Sequence, residues 1–319
     1  CVIIASSGTG AMQASVLNLC KRKALTINAG KFGERFGKIA DAMGKEKVEL
    51  KYEWNTPTSV ADVEKALSDN ADIDAIFMQV CESAGGLRHP VEAIAKRAKE
   101  IKPDIMIVAD GITAVGVEPI DVTNIDALIT GSQKALMLPP GLAMIGLSTS
   151  AVEKIGQGED YYFNLATEIK KQQQNTTAWT AATTLIIGLN AIFDAIDEEG
   201  VDALYANTAA RAAATQAALE AIGFSMYPQT PAPSMSTVLD DDADPIRKVL
   251  KTKYGVSIAG GQDHLKGKLF RINQMGLIPV YESAWVVNAV ELALSDIGRR
   301  AFDGTASRVF NETYYKKSE

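Results

Sequence analysis

The chain has 319 residues, 47% of them apolar and 22% charged, a length that fits one large or two ordinary domains and needs no disulfide or metal staple. Its 32 Lys and Arg stand against 39 Asp and Glu, a formal charge of −7, which argues against a nucleic-acid or anionic-membrane binder, since either needs a basic face. Two histidines (His89, His264) and three cysteines (Cys1, Cys20, Cys81) give no Cys/His metal spacing and nearly exclude a histidine triad. Chemistry must therefore come from Lys, Asp, Arg and Ser or from a cofactor, and an odd, sparse set of cysteines suits a reducing, cytoplasmic compartment.

The opening run Val2–Ala5 reads as a buried strand leading straight into a glycine loop. Termini ordinarily fray in solvent, so the chain reads as lacking an N-terminal segment. It shows no signal peptide, and no apolar run nears the roughly 20 residues of a spanning helix. Further strands are predicted at Ala24–Ile27, Val48–Tyr52, Ala75–Val80, Ile105–Ala109, Ala127–Thr130 and Ala143–Leu147. Helices are predicted between them at Ala11–Leu19, Phe32–Met43, Ser59–Ser68 and Pro90–Lys99. Several strands are apolar on both faces, as in a parallel sheet covered by helices on each side, so residues 1–160 read as a doubly wound α/β large domain. Residues 161–200 read as a connecting segment: a polar stretch through Gln174, with Gln172–Gln174 as a solvated helix face, then a long helix at Ala181–Asp197. Residues 201–319 read as a smaller α+β domain. Its helix Val201–Ile222 stops at Gly223, and strands Ser234–Leu239, Val256–Ala259 and Leu269–Asn273 alternate with helices Pro245–Lys253 and Glu282–Arg299.

Ser6-Ser7-Gly8-Thr9-Gly10 follows a strand and opens a helix. Glycines admit an anion close to the backbone, hydroxyls donate to it, and the helix start aims N–H dipoles at it. A phosphate cradle and a plain tight turn both satisfy that pattern. No Gly-Lys-Ser/Thr follows, so it is not a P-loop, and the next strand ends in Asn28-Ala29-Gly30 rather than the acidic residue of a dinucleotide fingerprint. Asp110 closes the apolar run Ile105–Ala109, where a carboxylate either points into the crevice at the strand ends or caps the turn Gly111–Thr113. Lys134 lies between Gln133 and the apolar stretch Ala135–Pro140, either as a sheltered amine able to form a Schiff base or as a snorkelling surface lysine. A phosphate loop, a strand-end carboxylate and a sheltered lysine in that order converge on pyridoxal phosphate.

The motifs SSGTGAM at 6–12, NAGKFGER at 28–35, ES-x-x-G at 82–86, VADGITAVG at 108–116, GSQKALMLPPGLA at 131–143 and GKLFRINQMG at 267–276 resemble class V pyridoxal-phosphate aminotransferases. The resemblance is to the alanine/serine–glyoxylate (serine–pyruvate) branch and covers nearly the whole chain, from Ser6 to about Arg299. It implies a fold type I transferase, with a mostly parallel central sheet flanked by helices in the large domain and a smaller C-terminal α+β domain. It further implies Lys134 as the lysine that carries the cofactor and shuttles the proton, and Asp110 as the partner of the pyridinium nitrogen. Phe32 falls on the aromatic residue that stacks on the ring, and Ser7, Gly8, Thr9 and Gln133 on the phosphate site. Ser83 falls on a hydroxyl contact to the cofactor, and Arg271 on the binder of the substrate α-carboxylate. From a partner subunit of a homodimer, Thr180 would reach the phosphate, with Thr177 a weaker match. The implied substrates are a small amino acid and a 2-oxo acid, alanine or serine with glyoxylate or pyruvate.

Other readings stay in view: an aminophosphonate transaminase, a truncated non-catalytic relative, and a nucleotide-binding Rossmann-like module. A Cys-dependent desulfurase fits poorly, because Gln133 stands where such enzymes usually carry His and Cys81 closes a buried strand. Arg88 and His89 read as loop and helix-start residues, Lys31 as a solvated charge, and Lys21–Lys23 as a solubilising triplet.

Overall fold

The computed structural model describes residues 1–316. In its first half, apolar runs and amphipathic helices alternate closely, and each run finds a place in one sheet. The strands are β1 (Val2–Ile4), β2 (Lys23–Asn28), β3 (Glu46–Lys51), β4 (Ile73–Gln79), the short hairpin pair β5 (Cys81–Glu82) and β6 (Leu87–Arg88), then β7 (Met106–Asp110), β8 (Ala127–Gly131) and β9 (Ala143–Leu147). All but the hairpin form a seven-stranded sheet in the order β1-β9-β8-β7-β4-β2-β3. The pairs from β8 to β3 are parallel, while β9 runs against both its neighbours.

Helices α1 (Gly8–Leu19), α2 (Lys31–Ala42), α3 (Val60–Asp69) and α4 (Val91–Ile101) cover the sheet, with α5 (Thr149–Ile155) and α6 (Leu165–Gln172) following β9. One face packs Met12, Val16, Leu19, Phe36, Phe77 and Ile145 into a common core, and the other packs Leu25, Ile76, Val63, Ile94 and Ile107. Because both faces are covered, β2, β4 and β7 are buried almost throughout, which is why they read as continuous apolar runs.

The edge strand β1 has only β9 beside it, and its free edge is closed by a side chain. Gln172 accepts from Ile3 N–H at 3.0 Å and donates to Ile3 C=O at 2.6 Å, mimicking a strand partner. Gln172 is thus not part of a solvated face; Gln173 and Gln174 are the exposed pair. The polar stretch before it is tied down by buried Asn18, which donates to Phe163 C=O and accepts from the N–H groups of Glu159 and Leu165.

Two long helices follow, α7 (Thr183–Glu199) and α8 (Val201–Ala221). Beyond them lie β10 (Met235–Leu239), α9 (Ala243–Lys253), β11 (Ala259–Gly260), β12 (Leu269–Asn273), α10 (Val280–Asp296) and α11 (Thr305–Tyr314). The three strands form an antiparallel sheet, β10-β12-β11, and Leu219, Phe224, Phe270, Val290 and Phe310 share its core. The strand predicted at Val256–Ala259 is corrected here: only Ala259 and Gly260 pair with β12, because Gly255 turns the chain with φ +68° and Ile258 C=O accepts from Arg247 instead of a strand. Helix α11, absent from the predicted elements, packs along α8 through Ala306 and Phe310, four residues apart and both fully buried. Among the described residues no helix is long and apolar enough to cross a membrane.

Candidate active site

The carboxyl ends of the parallel strands open onto two adjoining clefts that share Ser83 and Lys134. The first, of about 120 Å³, is lined by Ser7, Gly8, Thr9, Phe32, Arg35, Asp110, Gln133 and Lys134. The second, of about 200 Å³, is lined by Lys134, Met235, Ser257, Ile258, Arg271 and Met275 among others. Residues from six separate motifs, spread over more than 260 positions of chain, therefore meet where ligands of open α/β sheets bind.

Ser7 is the N-cap of α1, in extended conformation, yet its side chain makes no capping bond. The first-turn N–H groups of a helix have no acceptor within it, so this start combines an unspent hydroxyl with unspent backbone donors. A Cβ at Gly8 would lie 2.2 Å from Ile112 Cδ1, so glycine keeps the cup open. Asp110 ends β7, is 3% exposed and accepts from Ile112 N–H at 2.9 Å. Burial pushes its carboxyl up to about 6, against that hydrogen bond and the charges of Arg35 and Lys134. Asp110 is thus both strand-end carboxylate and turn acceptor; the two readings coexist.

Lys134 is half-buried on the loop after β8. Burial, then the nearby Arg271 guanidinium, hold its amine below the usual lysine range. Ser132 fixes that loop: its hydroxyl donates to Pro139 C=O at 2.7 Å and accepts from Leu142 N–H at 3.2 Å, and its C=O accepts from Leu138 N–H at 2.9 Å. Gln133 Oε1 is buried without a partner among the described residues, a polar atom aimed at something the chain itself does not supply.

Phe32 is held at the start of α2 by Glu82, which is fully buried and accepts from the N–H groups of Phe32 at 2.9 Å, Gly33 at 2.8 Å and Ala84 at 3.0 Å. A Cβ at Gly33 would stand 2.5 Å from Ile27 C=O, so only glycine lets α2 approach β2 this closely. Burial pushes Glu82 up to about 7. Arg271, on β12, donates through its two terminal nitrogens to Ser83 C=O at 2.5 Å and Gly260 C=O at 2.9 Å, while its Nε–H is buried without a partner. Glu82, Arg35 and Ser132 carry no sequence signal of their own beyond lying inside the ES-x-x-G, NAGKFGER and GSQK stretches.

Thr177 and Thr180 are not in this chain's cup. Both line a wide groove of about 620 Å³ with Ile3, Ile4, Trp179 and Ile187, and Thr177 donates to Trp179 C=O. Cys81 is buried 3.4 Å from Ser234 Oγ, and burial pushes its thiol up to about 11, as a core residue and not as a reactive one. His89 is buried, with Nδ1 accepting from Thr58 N–H, and burial lowers it to about 4. Arg88 pairs with Glu92 at 2.6 Å and Glu118 at 2.8 Å, and Lys31 pairs with Asp263 at 2.8 Å, so neither is a loose charge.

Residues 2–275 match the family described as Aminotransferase class-V. The chain belongs to the class V aminotransferases. It is 49% identical over 316 residues to an uncharacterized aminotransferase of Helicobacter pylori, covering 98% of this chain and 86% of that protein. It is 28% identical to the serine–glyoxylate aminotransferase of Hyphomicrobium methylovorum, over 99% of this chain and 82% of that one. The structure is similar to that of a subgroup IV aspartate aminotransferase from Thermus thermophilus, with TM-score 0.86 and 30% identity over 93% of this chain and 85% of the other. The fold of the aminotransferase is fold type I, and its cofactor is pyridoxal phosphate. The residue set fits that cofactor: an uncapped helix start for a dianion, a buried carboxylate for a ring cation, and a depressed lysine for an aldehyde.

Proposed function

We propose that this aminotransferase moves the amino group of a small uncharged amino acid, alanine or serine, to a 2-oxo acid such as glyoxylate or pyruvate, in two half-reactions. The observation that carries this reading is the make-up of the second cleft. Arg271 is its one guanidinium among the described residues, Lys134 its one amine, and Met235, Ile258, Ala259 and Met275 supply the apolar wall. An α-carboxylate needs one planar fork. A second carboxylate, as in aspartate, needs a second cation; among the described residues the guanidinium next to this wall is Arg247, which is already paired with Asp244 and held by Ile258 C=O.

In this reading Ser7, Thr9 and the N–H groups at the start of α1 bind the phosphate, with Gln133 at its flank, and Phe32 stacks on the ring while Ser83 contacts its edge. Pyridoxal phosphate, when bound, supplies the electron sink that makes loss of the Cα proton possible. Asp110 would hold a proton on the pyridine nitrogen, its buried carboxylate gaining there the cation it lacks in the free chain. Lys134 carries the cofactor at rest. As a free amine Lys134 would take the proton from the substrate Cα and return it at cofactor C4′, one group acting as base and then acid. Its lowered proton affinity favours the neutral amine that the base role needs and makes the ammonium formed from it a readier acid. Arg271, anchored at both terminal nitrogens, fixes the α-carboxylate so that the Cα–H bond faces Lys134.

A homodimer with a shared site belongs to the same reading. Thr180 lies outside its own chain's cup, on an exposed apolar groove that a second copy would cover. A cytoplasmic location goes with the free cysteines. The test is a single-turnover screen of amino acids against the loaded enzyme, followed by the change of cofactor absorbance to the pyridoxamine form. Alanine and serine are expected to convert it at least about a hundredfold faster than aspartate, the discrimination an unpaired buried charge imposes. Equal or faster conversion by aspartate overturns the donor assignment.

A further inference from the structure

Three of the ten arginines have no carboxylate partner among the described residues: Arg35, Arg211 and Arg271. Arg211 is spent on Thr208 and on the carbonyls of Gln274 and Gly276. Arg271 belongs to the substrate cleft. Arg35 is left: half-buried on α2, it lines the cofactor cleft as a cation with no anion of its own. Its Nη1 donates to Thr9 Oγ1 at 2.7 Å, and its guanidinium lies 4.7 Å from the centre of the Phe32 ring.

We infer that Arg35 is a positioning residue of the cofactor site, turning the Thr9 hydroxyl proton toward the phosphate and bracing the ring-facing Phe32 from behind. The inference rests on the cofactor assignment and adds a residue to it. A hydroxyl has one proton and two lone pairs. Arg35 fills the acceptor side of Thr9, which has no other hydrogen bond among the described residues, so the Thr9 proton is left for an incoming anion. A charged donor on an oxygen strengthens the bond that oxygen's own proton makes, as hydrogen bonds in series polarise one another. A guanidinium over one face of Phe32 leaves the opposite face for another flat partner. Arg35 lies one turn beyond Phe32, so a single helical turn sets both contacts. That turn is itself pinned by Glu82 at its first N–H groups.

The test uses the full chain stripped of cofactor and reads the dissociation constants of inorganic phosphate and of pyridoxal phosphate, by quenching of intrinsic fluorescence. Arg35→Met and Thr9→Val are each expected to weaken phosphate binding about tenfold, the worth of one charge-assisted hydrogen bond. The double variant is expected to lose little more than either alone, because both changes remove one arrangement. Losses that multiply toward a hundredfold, or an Arg35→Met affinity within about twofold of the parent, overturn the inference. If Arg35→Met does not fold, Arg35→Ala removes the donor to Thr9 as well, and phosphate affinity within about twofold of the parent's again overturns it. Growth of visible absorbance when the parent chain takes up pyridoxal phosphate, and its loss in Lys134→Ala, tests the cofactor assignment separately.

Discussion

The cup at Ser7–Thr9 and the groove along Ile3–Ala5 are only a few residues apart in the chain, yet they are made of opposite materials. The cup gathers buried charges and polar atoms, each fixed by the ends of a buried sheet: Asp110 by the turn after β7, Lys134 by the Ser132 loop, Phe32 by Glu82. The groove is wide and apolar, walled by Ile3, Leu142, Trp179 and Ile186, and large side chains stand in solvent beside it, Ile187 at 67% and Tyr161 at 78% exposure. The cup is costly to build, and one chain supplies its buried charges; the groove exposes apolar surface that a single chain does not bury. The first is the signature of chemistry, the second of a surface that expects a cover.

The sharpest way to break that contrast is to take the amine from the cup. Lys134→Ala is expected to lower transamination by about 10³–10⁴-fold, since one residue serves as both attachment point and proton carrier. Steady-state kinetics with alanine and glyoxylate check it, and the groove and oligomeric state are expected not to change. Asp110→Asn separates chemistry from stability. Its folded carboxyl sits near 6 against 3.8 for the free group, so it favours the folded state below about pH 4, and that contribution is lost as pH rises through about 6. Asparagine has no charge to bury. The cofactor-free variant is therefore expected to be more stable than the parent at pH 8 by about 2 kcal/mol and to match it near pH 4, while its turnover falls by about a hundredfold. Denaturant titrations at the two pH values check the first outcome; a parent that is the more stable at pH 8 overturns it.

Much of this was legible in sequence because the cup's parts are local. SSGTG joins a strand to a helix, Asp110 ends an apolar run, and Lys134 follows a strand by a three-residue loop, so each announces its place by its neighbours. What failed depends on residues far apart in sequence. Glu82 reads as one more acidic residue until the fold lays it under α2, fifty positions away, where the N–H groups of Phe32 and Gly33 turn toward it. Gln172 reads as solvated until Ile3, 169 residues earlier, offers it a bare strand edge. The strand expected at Val256–Ala259 shrinks to two residues because Arg247, on a neighbouring helix, takes a carbonyl the strand would have used. α11 was silent because its buried stripe is only Ala306 and Phe310, too short a pattern without α8 beside it.

The smallest effect tests the groove. Ile187 is 67% exposed on α7, so a glutamate there buries no charge in the isolated chain and should leave its folding intact. In a dimer closed over this groove the same carboxylate would be trapped against Ile186 and Trp179 without a partner, and unpaired interfacial charges weaken association. Ile187→Glu is therefore expected to shift the chain toward monomer in sedimentation equilibrium. It is also expected to weaken pyridoxal phosphate binding by about tenfold, the share of one phosphate hydrogen bond, if Thr180 serves the partner's cup. The two outcomes must move together. A variant that becomes monomeric yet keeps its cofactor affinity removes Thr180 from the phosphate site, and a parent chain that is monomeric with full activity removes the shared site altogether. Either result would make the cup complete within one chain, and the contrast with the groove would then separate catalysis from association instead of joining them.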